Sequence, residues 1–278
     1  MPLPSTATFT LLEELGTDGH SPLKFMCEDD HIYYCKYRTG RSLDKNEIDC
    51  LFYEIASNRL LKGLEIPTPE LTLVKIAEDS FIPKDLKYHK KFCKPGVIYL
   101  GSKHIDNSDL VQGVLPISSK REFKQIENPY DLIKIALFDL WVDNCDRGRD
   151  ENYNLLISVD GKSKKFYAFD HAFCFGGLDQ LRMFHADLPS NHANKLINSL
   201  YFKKFSSFLD KNKCKEIVDN FLFLQPDEAE HVILDAYDDC PQEWGIPFAL
   251  VQRMISFLTH KERNRMIKQS MLSVINKM

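Results

Sequence analysis

Asp143-Asn144-Cys145-Asp146-Arg147-Gly148-Arg149-Asp150-Glu151-Asn152-Tyr153-Asn154 is a polar run between two apolar ones, and Phe169-Asp170-His171 follows a short way downstream. On its N-terminal side, Pro129 opens a segment over residues 130–142. There Leu132, Ile135, Ala136, Phe138, Leu140 and Trp141 recur at helical spacing. On its C-terminal side, residues 155–159 and 165–169 predict two strands around a hairpin turn at Asp160-Gly161. The order helix, polar loop, hairpin therefore presents one acid in the loop and another at the end of the second strand.

Phosphoryl transfer asks for few groups. A carboxylate orients the attacking hydroxyl, and oxygen ligands hold magnesium against the phosphates. Asp146, an Asn shortly after it and Asp170 supply those parts in order. A loop whose Asp and Asn merely cap its own turns is the plainer alternative for the loop alone. Asp170 weighs against it: flanked by Ala168-Phe169 and Ala172-Phe173, a carboxylate there needs a partner, and a cation is the natural one.

Working outward, the first third is rich in β-formers. Residues 9–15 and 23–27 predict strands around Gly16-Thr17-Asp18-Gly19-His20-Ser21-Pro22, a loop in which Gly16 and Gly19 would let backbone amides approach phosphates. An ordinary hairpin turn would look the same. Residues 31–37 predict a strand carrying Lys36 among Tyr and Cys. Asp44 is placed to cap a helix over residues 46–61, which carries Glu47 and Glu54. Glu54, set among Tyr53, Ile55 and Ala56, is the better partner for a strand lysine; Glu47 reads as a helix-start acid. Residues 71–76 predict a strand, residues 84–95 a lysine-rich surface excursion, and residues 96–100 a strand ending in a turn at Gly101-Ser102. From residue 194 onward the pattern is mostly helical, closing with residues 247–258 and 261–275. The expected class is α+β: a small β-rich lobe over residues 1–101 and a larger, mainly helical lobe over residues 102–278.

The chain has 278 residues, 44% hydrophobic and 27% charged, proportions of a folded globular protein. A formal net charge of −4 leaves no basic field to collect nucleic acid. The 8 cysteines form no Cys-x-x-Cys pair and sit in apolar runs, so reduced thiols in a cytoplasm are expected. The N-terminus lacks the pattern of a signal peptide. The most apolar stretch, residues 132–142, is interrupted by Lys134 and Asp139 and is too short to cross a bilayer.

With these parts in order, the chain resembles the HipA-like kinases, above all the compact bacterial HipA-like domain proteins, and more distantly the phosphatidylinositol 3- and 4-kinases. The pieces that carry the likeness are Gly16 to Pro22; Tyr34-Cys35-Lys36 with Asn58-Arg59-Leu60 and Ile66-Pro67-Thr68-Pro69; Phe138 to Arg147; Ala168-Phe169-Asp170-His171; and Trp244-Gly245-Ile246-Pro247. The resemblance implies a bilobal atypical kinase fold with ATP between the lobes. It implies Asp146 as the base, Arg147 as a further catalytic residue that would clamp phosphate or else hold the loop's own acids, Asp170 as a magnesium ligand and Lys36, paired with Glu54, on the ATP phosphates. Gly16, Gly19 and Ser21 would form the phosphate loop, and residues 97–100 the adenine strand. The sequence departs from the pattern at one place. The wider fold has its metal-binding Asn five positions after the base, and here that position is Glu151. Asn152, which needs only a one-residue insertion in the loop, is the expected metal ligand; Asn154, followed by the apolar Leu155-Leu156-Ile157 that usually follows the metal Asn, is the second choice. The acceptor is left open among Ser/Thr of a protein, a lipid and a small molecule. A nucleotide-binding regulatory module without turnover is the alternative.

Overall fold

Alternation of buried and half-buried residues organises the N-terminal strands. Leu23, Phe25 and Cys27 of β2 (Leu23–Cys27) and Tyr33 and Cys35 of β3 (Ile32–Lys36) all point inward. With β1 (Ser5–Glu14), β4 (Leu71–Lys75) and β5 (Ile98–Lys103) they close a barrel in the order β1-β2-β3-β5-β4. The β1–β4 pair is parallel and the others antiparallel. The structure, a computed structural model, describes all residues except 1, 18–19, 40–46, 113–118, 145, 148–151, 176–183, 187–193 and 222–225. Gly19, the helix cap expected at Asp44, and Arg149 and Glu151 of the central loop lie outside the described residues.

The chain divides into two compact units. The first comprises Met1–Ile55, Pro69–Ile105 and Asp235–Ile246. Its core packs the inward barrel residues with Val74, Ile76, Leu86, Cys93 and Tyr99. Two expectations need correction here. Gly101 is no turn residue but the middle of β5, where a Cβ would lie 2.6 Å from Val74 Cγ2; the glycine admits a close strand neighbour. Residues 84–95 are no plain surface excursion either. Their lysines face out, but Leu86, His89 and Cys93 are buried, and the Glu14 carboxylate accepts the N–H groups of Lys87, Tyr88 and His89. One buried residue in every three or four is invisible beneath so many lysines.

The second unit comprises Ala56–Thr68, Asp106–Leu234 and Pro247–Met278. It holds a three-stranded antiparallel sheet, β6 (Ser108–Gln112), β7 (Asn152–Asp160) and β8 (Ser163–Ala168), in the order β6-β7-β8. The edge strand β6 had no clear sequence signal. Helix α1 (Glu47–Gly63) gives its first half to the first unit and the rest to the second. After the short α2 (Lys120–Phe123), α3 (Asp131–Trp141) is buried on nearly every face, which explains its almost unbroken apolar sequence. The short α4 (Lys195–Asn198) and α5 (Leu200–Ser206) lead to α6 (Lys211–Asp219), α7 (Pro226–Asp238), α8 (Phe248–Leu258) and α9 (Lys261–Lys277). No described helix is long and apolar enough to cross a membrane.

Candidate active site

The central loop of the second unit is built around one buried acid. Asp139 lies inside α3 and is 1% exposed. Its carboxylate accepts the Arg147 Nε–H and, at 3.0 Å, the Asn144 amide. Burial pushes its carboxyl above the ordinary range, while Arg147 and Asn144 pull the other way. Arg147 is 0% exposed. Its Nη1 donates to the carbonyls of Tyr153 (2.6 Å) and Asn154 (2.7 Å), and its Nη2 to His171 Nε2 (2.8 Å). Of the two readings open for Arg147, phosphate clamp or holder of the loop's own acids, this geometry matches the second. His171 accepts at Nε2 and sets its ring edge against Phe138, the environment of a structural histidine.

Asp146 is placed by this frame. Asn144 Oδ1 accepts the Asp146 N–H at 3.1 Å, and Asp146 Oδ2 accepts from Asn154 Nδ2 at 3.1 Å. Asn144, Arg147 and Asn154 are buried, whereas Asp146 itself is half-buried. Asn152 and Asn154 differ in use. Asn152 Oδ1 accepts the N–H of Asn154 at 3.0 Å, so one of its two lone pairs is engaged inside the loop; Asn154 turns its amide N–H onto Asp146. Asp170 stands at the same end of the hairpin as Asn154, because Leu155 pairs with Ala168 and the Phe169 N–H donates to Asn154 O at 3.2 Å. Asn154 (φ 45°) and Asp170 (φ 56°) both hold left-handed backbone, which Asn and Asp tolerate best. Arg263 braces the frame from behind, donating Nη2 to Leu140 O near the end of α3; burial lowers its pKa to about 9. Asp139 and Arg263 were missed as site residues. An acid interrupting an apolar helix was the one signal available for Asp139.

In the first unit, Lys36 Nζ lies 2.6 Å from Glu54 Oε1, and both side chains are buried. The pair expected from strand and helix is thus brought together. Glu47 instead accepts the Thr39 N–H and hydroxyl at the start of α1. In the β1–β2 loop, Ser21 (φ 46°) donates its N–H to Thr17 Oγ1 and its hydroxyl to Thr17 O, and Gly16 lies against the Tyr88 ring. The Trp244 indole N–H donates to Ile98 O, and the Ile98 N–H to Glu243, so that late segment grips the start of β5. In the second unit Asn58 Nδ2 donates to Thr68 Oγ1, which joins two of the motif pieces quoted above.

A family model described as HipA-like kinase matches residues 17–246. The chain belongs to the HipA-like kinases. It is a kinase-type phosphotransferase of that family, and the α+β class read from the sequence holds. No curated protein sequence matches this HipA-like kinase. Among solved structures, it shares its fold with the Helicobacter pylori proinflammatory kinase CtkA, at 13% identity and a TM-score of 0.56, over 99% of both chains. The Golgi casein kinase is similar at 11% identity and TM-score 0.51, covering 99% of this chain and 72% of that one. The hydra Fam20 structure with sugar has the same identity and score, covering 99% of this chain and 86% of its own.

Proposed function

We propose that this HipA-like kinase transfers a phosphoryl group from ATP, with magnesium, to a serine or threonine hydroxyl of a protein. The observation that carries the reading is Asp146: a half-buried carboxylate on a buried scaffold, hydrogen-bonded to Asn154. In this reading Asp146 orients the acceptor hydroxyl and takes its proton. Lys36 contacts the phosphates, and Glu54 holds the ammonium in place. Gly16, Gly19 and Ser21 belong to the loop that covers the phosphates.

The donor set suits magnesium. Asp170 and the asparagines offer hard oxygens, and one or two carboxylates with phosphate oxygens satisfy this ion. When bound, the ion would neutralise charge that develops on the phosphates. Asp170 and Asn154 are the ligands we favour, since the Asn152 oxygen already serves the loop. Arg147 acts as a positioning residue: its guanidinium ties the base, through Asn154, to the strand end that carries Asp170. A protein acceptor is favoured by one fold neighbour being named for casein, a protein. The described cysteines Cys27, Cys35, Cys50, Cys93, Cys174, Cys214 and Cys240 are free thiols, which fits a reducing cytoplasm.

The test is incubation of the protein with labelled ATP and magnesium, alone and with general protein substrates, followed by acid hydrolysis. Phosphoserine or phosphothreonine is expected. ATP binding with neither label nor ADP would favour the regulatory-module reading, and label on lipid alone would move the acceptor.

A further inference from the structure

His89 is fully buried in a segment otherwise dominated by lysine. Its Nε2 lies 3.0 Å from His20 O and 2.9 Å from Ser21 O. Both are carbonyl acceptors, so Nε2 carries the proton, and the neutral ring offers Nδ1 as an acceptor to the Tyr99 hydroxyl at 3.2 Å. Burial lowers the His89 pKa, which agrees with a neutral ring. The segment is itself anchored: the Glu14 carboxylate, at the end of β1, takes three consecutive N–H groups from residues 87–89. Its Tyr88 ring lies against Gly16 at the other side of the loop. The β1–β2 loop is therefore held from outside by one strap, and one imidazole joins that loop to strand β5.

We infer that His89 is a positioning residue for nucleotide binding: it fixes the β1–β2 loop at a set distance from β5, so the phosphates and the adenine of one nucleotide meet groups already in register. The inference rests on the kinase reading for the roles of the loop and of β5. The link itself rests on geometry within one unit. A glycine-containing loop is entropically costly to order. A strap that orders it beforehand raises affinity for the phosphate end of the ligand without adding a contact.

Two measurements test it, one of which needs no nucleotide. Amide hydrogen exchange on the full chain compares wild type with His89→Ala and with His89→Gln, whose amide can still donate to the two carbonyls. Exchange over residues 15–22 is expected to quicken in His89→Ala, less so in His89→Gln, while the β5 amides keep their protection. Unchanged exchange in the loop, or loss of protection throughout the barrel, would overturn the inference. The second arm measures affinity for magnesium-ATP and, by competition, for adenosine. Removing the imidazole donor and loosening the loop is expected to weaken ATP about 10-fold in His89→Ala. Adenosine affinity should stay within about 2-fold, because β5 is intact. Equal losses for both ligands would mean general damage and refute the assignment. Lys36→Ala separates the two readings: if it weakens ATP and His89→Ala does not, the kinase reading stands and this inference falls.

Discussion

Arg147→Met removes the guanidinium at the centre of the loop and keeps much of the side chain's volume. The change takes the charged partner from the fully buried Asp139 carboxylate, which keeps only the neutral Asn144 amide of the two donors named above, and removes the guanidinium from the Tyr153 and Asn154 carbonyls, of which Asn154 O keeps the Phe169 N–H. The carboxylate can escape by taking a proton. From an ordinary pKa near 3.9, doing so at pH 7 costs about 1.36 kcal/mol per unit over ~3 units, or about 4 kcal/mol. The donor lost at the Tyr153 carbonyl adds about 1 kcal/mol. The expected loss is about 5 kcal/mol, a large share of a domain's typical 5–15 kcal/mol, and close to the range for breaking a buried ion pair. The sign of its pH dependence follows. In the variant the folded state binds a proton that the unfolded chain releases above about pH 3.9, so its deficit grows as pH rises and shrinks by about 2.7 kcal/mol between pH 7 and 5. Adding Asp139→Asn removes the stranded charge and should recover ~2–3 kcal/mol of the loss. Urea unfolding followed by Trp141 fluorescence, in a Trp244→Phe background, reports on this unit alone, because Trp141 and Trp244 belong to different units. A loss below about 1 kcal/mol, or a double variant no better than the sum of the single ones, would refute the argument.

Asn154→Ala should raise the magnesium concentration needed for half-maximal activity by about 10-fold or more, whereas Asn152→Ala should change it little; the reverse order would hand the ligand role to Asn152. Gly101→Ala should cost about 1–3 kcal/mol in thermal unfolding, and Val74→Ala in the same chain should relieve part of it, since Val74 Cγ2 is the atom a Cβ would strike. His89 contributes a pH dependence of its own. Its folded pKa is lowered, chiefly by burial, while the His20 and Ser21 carbonyls, Glu14 and Glu47 oppose that shift. The stability it contributes is present in full above about pH 6.5 and is lost as pH falls toward its folded value; His89→Gln should flatten that part of the stability curve.

Much of this was legible because the residue types are unusual for their places. A lysine mid-strand, a glutamate among apolar helix neighbours and an aspartate between Ala-Phe pairs each cost something without a partner, and Lys36 and Glu54 are found together. Local period was enough for α3, β2 and the β7–β8 hairpin. Long-range pairing was not. Nothing local announces that β1 lies parallel to β4, that β5 runs on through Gly101, or that β6 exists, since its Leu110 is exposed while Val111 is fully buried. The different hydrogen bonds of Asn152 and Asn154 were equally illegible, because they depend on how the loop folds back on itself. His89 was hidden by its lysine neighbours, and the role of Arg147 depended on burial that a polar loop does not display.

The most direct test of the central claim is magnesium-dependent phosphoryl transfer from labelled ATP, measured for wild type, Asp146→Ala and Asp170→Ala at matched folded concentration. The account predicts label or ADP from the wild type and loss of both in each variant, with ATP binding retained by Asp146→Ala. Undiminished turnover in Asp146→Ala, or a folded wild type that binds no ATP, would contradict it.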